Sequence, residues 1–299
     1  MGKVFVGIDC GGSSCRVLAV DADGGVLFQG QAGAANLVTT PEPRLRKNLA
    51  SASEGCPSAT AVCGCFAGLV NEELRRKGEG LLRELYPGAA VRAEADYAAA
   101  YYASEAGTDV CVIAGTGSLV CSRVGDRIVK SGGRGYILGD FGSGYHFGRD
   151  ALLHYLDHPA DASKRVRQAV EEAFRTTDEG QIVAAVYRSQ TPAGLLAKLA
   201  KPLGLDAQAG ERYALESIER NFSLLVPIVV KHVHEHLPDG HKLAVSLSGG
   251  VWRSNIVFRD HFASLLTEAL PRRIVFVERL RRPPLFGAVE LAKETAVPE

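Results

Sequence analysis

Apolar residues in this chain come in short runs separated by glycine pairs, a rhythm that predicts strands joined by tight turns. The first run, residues 3–9, is rich in Val and Ile and ends on a carboxylate, Asp9. Gly11, Gly12, Ser13 and Ser14 make a turn, and residues 16–21 are a second apolar run. Runs this short and this β-branched read as strands rather than helices. Asp23-Gly24-Gly25 then turns the chain into a third strand over 26–32.

Residues 33–39 read as a loop, 41–53 as a helix, 59–66 as an apolar strand, 71–86 as an amphipathic helix and 91–95 as a strand. An Ala- and Tyr-rich helix over 97–106 starts directly behind Asp96. Asp is a good N-cap, but a strand-to-helix junction is also where α/β sheets bind ligands. At 109 the opening pattern returns. Residues 109–114 are a strand, Gly115-Thr116-Gly117-Ser118 a turn, 119–124 a returning strand and 127–130 a third strand. The shared order reads as an internal duplication. Two such halves facing each other would aim two phosphate-cradling turns into one cleft.

The stretch from Ser131 to His146 is too apolar for a flexible linker and too Gly-rich for one regular element, so it reads as a loop lining a site. Helices are expected over 145–156, 162–174, 179–200 and 206–237, the last kinked at Pro227. A strand over 242–248 leads into Gly249-Gly250 and a helix to Leu270. A strand over 274–277 and a helix behind Pro283-Pro284 close the pattern. His232, His234 and His236 suggest a metal site only until helical geometry is applied. His234 points away from the other two, no carboxylate completes a set, and a solvated helix end is the expectation. The arginines at 272, 273, 279, 281 and 282 read as solvated surface.

Composition narrows the function. The 299 residues suffice for two domains, and 34 basic against 34 acidic residues give zero formal charge, which excludes the electrostatic footprint of a nucleic-acid binder. No apolar run approaches the roughly 20 residues of a membrane span. The N-terminal run has no signal-peptide pattern, and Val6 breaks a myristoylation motif. All seven cysteines lie at or before Cys121 with no zinc spacing, so free buried thiols in a reducing cytoplasm are expected. Cys63 and Cys65 should share one face of a strand.

No Gly-Lys-Ser/Thr, strand-following Gly-x-Gly-x-x-Gly or Gly-x-Ser-x-Gly occurs, which disfavours a P-loop, a dinucleotide-binding domain and a hydrolase elbow. Three Gly/Ser/Thr turns remain, at 11–14, 115–118 and 248–250, each after an apolar strand. Their backbone N–H groups can hold phosphates without a lysine. Asp9 and Asp140 are candidates for a magnesium environment, and Asp96 for a general base. These are the parts a kinase acting on a hydroxyl requires.

Asp9-Cys-Gly-Gly-Ser13, Asp96 before an Ala-rich helix, Gly115-Thr-Gly-Ser118, residues 132–143 and Ser248-Gly-Gly-Val resemble, in order, the motifs of the N-acetylglucosamine kinase group. That group belongs to the sugar kinase, actin and heat-shock chaperone superfamily. Residues 186–192 and 196–200 resemble its helical insertion. The resemblance implies an α/β chain of two ribonuclease-H-like, actin-like ATPase domains around a central cleft. Residues 1–107 with a returning helix at about 285–299 would form one domain, and 108–284 the other. It implies ATP on Gly11, Gly12, Ser13, Gly115, Thr116, Gly117 and Ser118, with Gly249 and Gly250 near the adenosine. It implies Mg2+ on Asp9, and a sugar beside Asn36, Gly133, Arg134 and Asp140. Asp96 would deprotonate a sugar hydroxyl, that at the 6-position, and a cytoplasmic homodimer is implied. Arg134 and Phe141 depart from the group's Trp and Glu near the sugar pocket. N-acetylglucosamine, glucosamine and N-acetylmuramic acid all remain as acceptors, and Arg134 has either a substrate anion or solvent as its neighbour.

Two other functions share parts of this pattern. One is an ATPase that drives electron transfer into a dehydratase or reductase, with an iron–sulfur cluster on cysteines between subunits. The other is a sugar-sensing regulator without catalysis. Cysteines on predicted strands argue against the first, and Asp96 against the second.

Overall fold

The computed structural model describes residues 2–12 and 14–296. The chain divides into two compact units, Met1–Ala106 with Leu280–Glu299, and Gly107–Arg279. The first contains β1 (Val4–Cys10), β2 (Ser14–Asp21), β3 (Val26–Gly33), α1 (Glu42–Ser53), β4 (Ala61–Phe66), α2 (Glu72–Leu85), β5 (Ala90–Ala95) and α3 (Asp96–Tyr102). Its sheet runs β3-β2-β1-β4-β5. The hairpin neighbours pair antiparallel, while β4 lies parallel to both β1 and β5. Every residue of β4 is buried, as expected of a parallel strand covered on both faces.

The second unit contains β6 (Val110–Ala114), β7 (Ser118–Val124), β8 (Arg127–Gly132), α4 (Gly144–Asp157), α5 (Lys164–Phe174), α6 (Glu179–Arg188), α7 (Pro192–Ala197), α8 (Ala200–Gln208), α9 (Arg212–His236), β9 (Lys242–Ser248), α10 (Gly250–Ser254), α11 (Ile256–Ala269) and β10 (Ile274–Arg279). Its sheet runs β10-β9-β6-β7-β8. In each unit the strands therefore lie in the order third, second, first, fourth, fifth, with the same senses. The duplication expected from the turns extends to the whole sheet.

Several expected helices are divided, each for a local reason. Residues 179–200 break because Thr191 precedes Pro192, and a residue before proline avoids the helical region. Residues 206–237 break at Gly210, whose φ of +88° turns the chain between α8 and α9. Pro227 stays inside α9. Asn255 separates α10 from α11 and caps the latter, its Oδ1 accepting the Val257 N–H at 2.9 Å. α3 ends at Tyr102, four residues short of expectation.

His232 corrects the sequence reading outright. It is fully buried, between Ser122 on β7 and Ser131 on β8, with 2.8 Å to each hydroxyl. Burial pushes its pKa down to about 4, so it pins α9 to the sheet as a neutral ring. His234 is exposed. The cysteines are free thiols, buried except for the half-exposed Cys56.

Aromatic packing builds the second unit's core. Trp252 and Phe222 stack at 5.5 Å, Phe147, Phe258 and Phe262 surround them, and the Trp252 indole N–H donates to the Val112 carbonyl. The first unit is completed by α12 (Pro284–Thr295). At Gly7 of β1 an added Cβ would lie 2.5 Å from the Val289 nitrogen, and at Gly287 it would overlap the Ala99 carbonyl. The Ala-rich pattern of α3 thus has a packing purpose, because only small residues let α12 come this close.

Candidate active site

Open α/β sheets bind ligands beyond the carboxyl ends of their parallel strands. In the first unit those ends, of β1, β4 and β5, carry Asp9, Ala67 and Asp96. Asp9 pairs across the sheet with Arg16. Burial raises its pKa to about 6, Arg16 opposes the shift and the Asp96 charge adds to it. Among the described residues nothing donates a hydrogen bond to the Asp9 carboxylate.

Among the described residues the turn after Asp9 has few hydrogen bonds. The Gly11 N–H donates to the Ser14 carbonyl at 2.8 Å and the Gly11 carbonyl accepts from Ala35, while Gly12 is exposed. Ser13 lies outside the described residues. The Ala35 bond and one from the Leu37 N–H to the Ala67 carbonyl stitch the loop after β3 to the same edge. They place Asn36 there. Its Oδ1 accepts the Val38 and Thr39 N–H groups at 2.8 and 2.9 Å, which leaves the amide NH2 to serve a ligand. Asp96 is the first residue of α3 rather than its cap, a position held by Ala95. Its Oδ1 accepts the Tyr97 N–H at 2.9 Å. Asp9, Gly11, Asn36 and Asp96 therefore gather at one edge of one sheet.

The second unit repeats the edge with different chemistry. β6 ends at Ala114 and the 115–118 turn follows, while β9 ends beside it at Ser248. Gly249 has φ +118°, and an added Cβ there would overlap the Ala114 carbonyl. The turn is firmly bonded. The Gly144 and Tyr145 N–H groups at the start of α4 donate to the Gly115 and Thr116 carbonyls at 2.7 and 3.2 Å. The Ser118 hydroxyl donates to the Phe141 carbonyl at 2.7 Å. Its side chain thus holds the loop from β8, and its backbone faces Asp140.

Asp140 is nearly buried and left-handed, with φ +59°. Burial raises its pKa, against hydrogen bonds from the Gly135 and Ser118 N–H groups. His146 donates to the Gly139 carbonyl at 2.8 Å, and burial lowers its pKa.

Two cavities border these residues. One of about 480 Å³ is lined by Gly115, Thr116, Gly144 and Gly250, with Lys198 and Lys201 from the α7–α8 segment. The other, of about 710 Å³, is lined by Gly133, Arg134 and Asp140 on one side and Lys231 on the other. Arg134 is exposed. Sequence reasoning missed Lys198 and Lys201, since a lysine pair three apart on a helix is an ordinary surface signal. Among the described residues no group of three His, Cys, Asp or Glu is placed to hold a metal ion.

The model of the BadF/BadG/BcrA/BcrD ATPase family matches residues 6–292. The N-acetylmuramic acid/N-acetylglucosamine kinase of Clostridium acetobutylicum is 25% identical over 97% of this chain and 98% of its own length. Among solved structures, a Porphyromonas gingivalis protein provisionally described as an N-acetylglucosamine kinase superposes with TM-score 0.75 at 20% identity, covering 98% of this chain and 100% of that one. A ROK family glucokinase from Streptomyces griseus, solved with glucose and AMPPNP, gives TM-score 0.62 at 18% identity, covering 97% and 99%. These likenesses show the fold, an actin-like ATPase architecture with two mixed five-stranded sheets.

Proposed function

Because the chain belongs to the BadF/BadG/BcrA/BcrD ATPase family, we propose that this ATP-dependent carbohydrate kinase phosphorylates the 6-hydroxyl of an amino sugar. N-acetylglucosamine is the first candidate, with glucosamine and N-acetylmuramic acid as the other acceptors. The observation that carries the reading is the unequal chemistry of two equivalent sheet edges. One presents carboxylates and a free amide, as a sugar requires. The other presents a glycine-lined cavity with two lysines, as a nucleotide requires.

In this reading Asp96 is the general base. The Tyr97 N–H donates to one of its oxygens, and a carboxylate at this strand-to-helix junction can take the hydroxyl proton. Asn36 donates its amide to the sugar, and Gly133, Arg134 and Asp140 are the second unit's sugar-binding residues. Backbone N–H groups of Gly11, Gly12, Ser13, Gly115, Thr116, Gly117 and Ser118 hold the phosphates. Gly249 and Gly250 admit the adenosine, with Lys198 and Lys201 at the rim. A half-buried carboxylate that accepts no hydrogen bond among the described residues suits Mg2+, which takes few protein ligands and keeps waters. Asp9 would hold it, and the ion would supply charge neutralisation at the phosphates. The reading has a cytoplasmic homodimer. No helix among the described residues is long and apolar enough to cross a membrane.

The test is ADP release over a panel of hexoses, amino sugars and their N-acetyl and lactyl derivatives. Amino sugars should stimulate it most. Steady ATP turnover that no sugar stimulates would sink the kinase reading in favour of a partner-driving ATPase.

A further inference from the structure

Cys10 and Cys15 stand directly opposite each other on β1 and β2, the last side-chain pair before the turn. The Gly11 N–H donates to the Ser14 carbonyl. The 10/15 pair therefore occupies the register without mutual hydrogen bonds, in which opposed Cα atoms come to about 4.5 Å. A disulfide bridges Cα atoms roughly 4.4–6.8 Å apart, so this register allows one. The two sulfurs are 2.9 Å apart and both residues are fully buried. Cys63 and Cys65 are a poorer pair. They are two apart on one strand, with sulfurs at 4.0 Å, so their Cα separation falls near the upper limit.

We propose that Cys10 and Cys15 are an oxidation site, at which hydrogen peroxide closes a disulfide across the base of the β1–β2 turn. One sulfur, as its thiolate, attacks a peroxide oxygen. Hydroxide leaves and a sulfenic acid forms. The second sulfur attacks the sulfenic sulfur, the S–S bond forms and the oxygen departs as water. In sum two thiols and one peroxide give one disulfide and two waters. Access comes through the turn. Gly12 is exposed, and among the described residues beyond its chain neighbours no heavy atom lies within 4 Å of where its Cβ would be. Opening four residues is a local event, far smaller than unfolding the sheet. The assignment of this turn to phosphates adds one consequence: bound ATP should hold the turn shut and slow closure. Only that consequence rests on the proposed function.

The test is peptide mapping of the full chain after graded peroxide, with unreacted thiols alkylated under denaturing conditions. Residues 10 and 15 fall within one tryptic peptide, 4–16. The expected product is that peptide about 2 Da lighter, unalkylated and restored by dithiothreitol. Cys56, the half-exposed thiol, reports the peroxide dose. Oxidised Cys56 beside doubly alkylated 4–16 peptide overturns the proposal, as does a link from Cys10 to any other cysteine. In Cys15→Ser the peptide 2 Da lighter should be absent, with Cys10 left as a thiol or stopped at the sulfenic or sulfinic acid; mapping of the unmodified chain decides the matter if that variant does not fold. ATP should slow closure several-fold. Closure at equal rates with and without ATP overturns the shielding and the phosphate role of the turn, and leaves the disulfide standing.

Discussion

The two hairpins, β1–β2 and β6–β7, occupy the same place in sheets of the same strand order, and they differ in how their turns are held. The 115–118 turn is tied from three sides, by the start of α4, by Asp140 and by the Ser118 bond to Phe141. Among the described residues the stretch after Asp9 has one bond across the base of its turn, one from Ala35 to Gly11 and one from Ala67 to Cys10. Side chains differ as well. The next-to-last position of β1 is Asp9, and that of β6 is Ile113. A duplicated backbone thus supplies two Gly/Ser/Thr turns at equivalent places. Divergence then left one turn tied to neighbouring elements, and the other beside a carboxylate on its own strand. A nucleotide needs a site formed in advance, whereas a reacting centre needs charge that a substrate or cation can compensate.

The comparison can be broken at its most active point first. Asp96→Asn should lower kcat by about 10³-fold while sugar binding by calorimetry persists. Turnover within tenfold of the parent would remove the base from the first unit. Next in size is the nucleotide edge. Lys198→Met with Lys201→Met should raise the KM for ATP about tenfold, from one charge-assisted bond lost, with the KM for sugar unmoved. A rise in the sugar KM instead would move the lysines out of the nucleotide site.

Stability offers the finer tests. Gly249→Ala should cost about 2–3 kcal/mol in urea unfolding, from its left-handed φ and the Ala114 carbonyl. Gly12→Ala should change stability little, since open space surrounds its Cβ position. Equal costs would mean that the two turns are equally constrained. A smaller, pH-dependent effect is at Asp9. Its folded pKa, about 6, lies above the ordinary carboxylate value, so the folded state binds the proton more tightly. Stability is then lost as pH rises through about 6, where folding must retain a poorly compensated charge. Asp9→Asn should raise Tm by about 2–4 °C at pH 7.5 and leave it unchanged at pH 4. The same variant should be deficient in phosphotransfer. A lowered Tm at pH 7.5 would mean that the charge is already compensated in the free protein.

Much of this was legible in the sequence because it rests on local signals. The duplicated turns follow from apolar runs and glycine pairs, and the returning Gly/Ser motif marks the repeat. Other features depend on contacts between distant residues. His232 reads as a surface histidine until Ser122 and Ser131 are seen on either side of it, about a hundred positions away. Lys198 and Lys201 gain meaning only from the cavity they border, whose other walls are Gly115, Thr116, Gly144 and Gly250 from distant parts of the chain. The Asp96 carboxylate sits where the strand-to-helix junction predicts, but its bond to Tyr97 differs from that of a cap. Periodicity places a residue on an element; it does not say which distant group will meet it there.

The seat of α12 has a consequence for biosynthesis. The second unit is one uninterrupted stretch, whereas the first waits for residues after Leu280. On a ribosome the middle of the chain can finish folding while β1 still lacks the helix that lies against Gly7. Until α12 emerges, an apolar face of that strand and the alanines of α3 are open to water and to chaperones. The first segment made is the last to be completed, so the slow step in maturation should be the docking of the final helix.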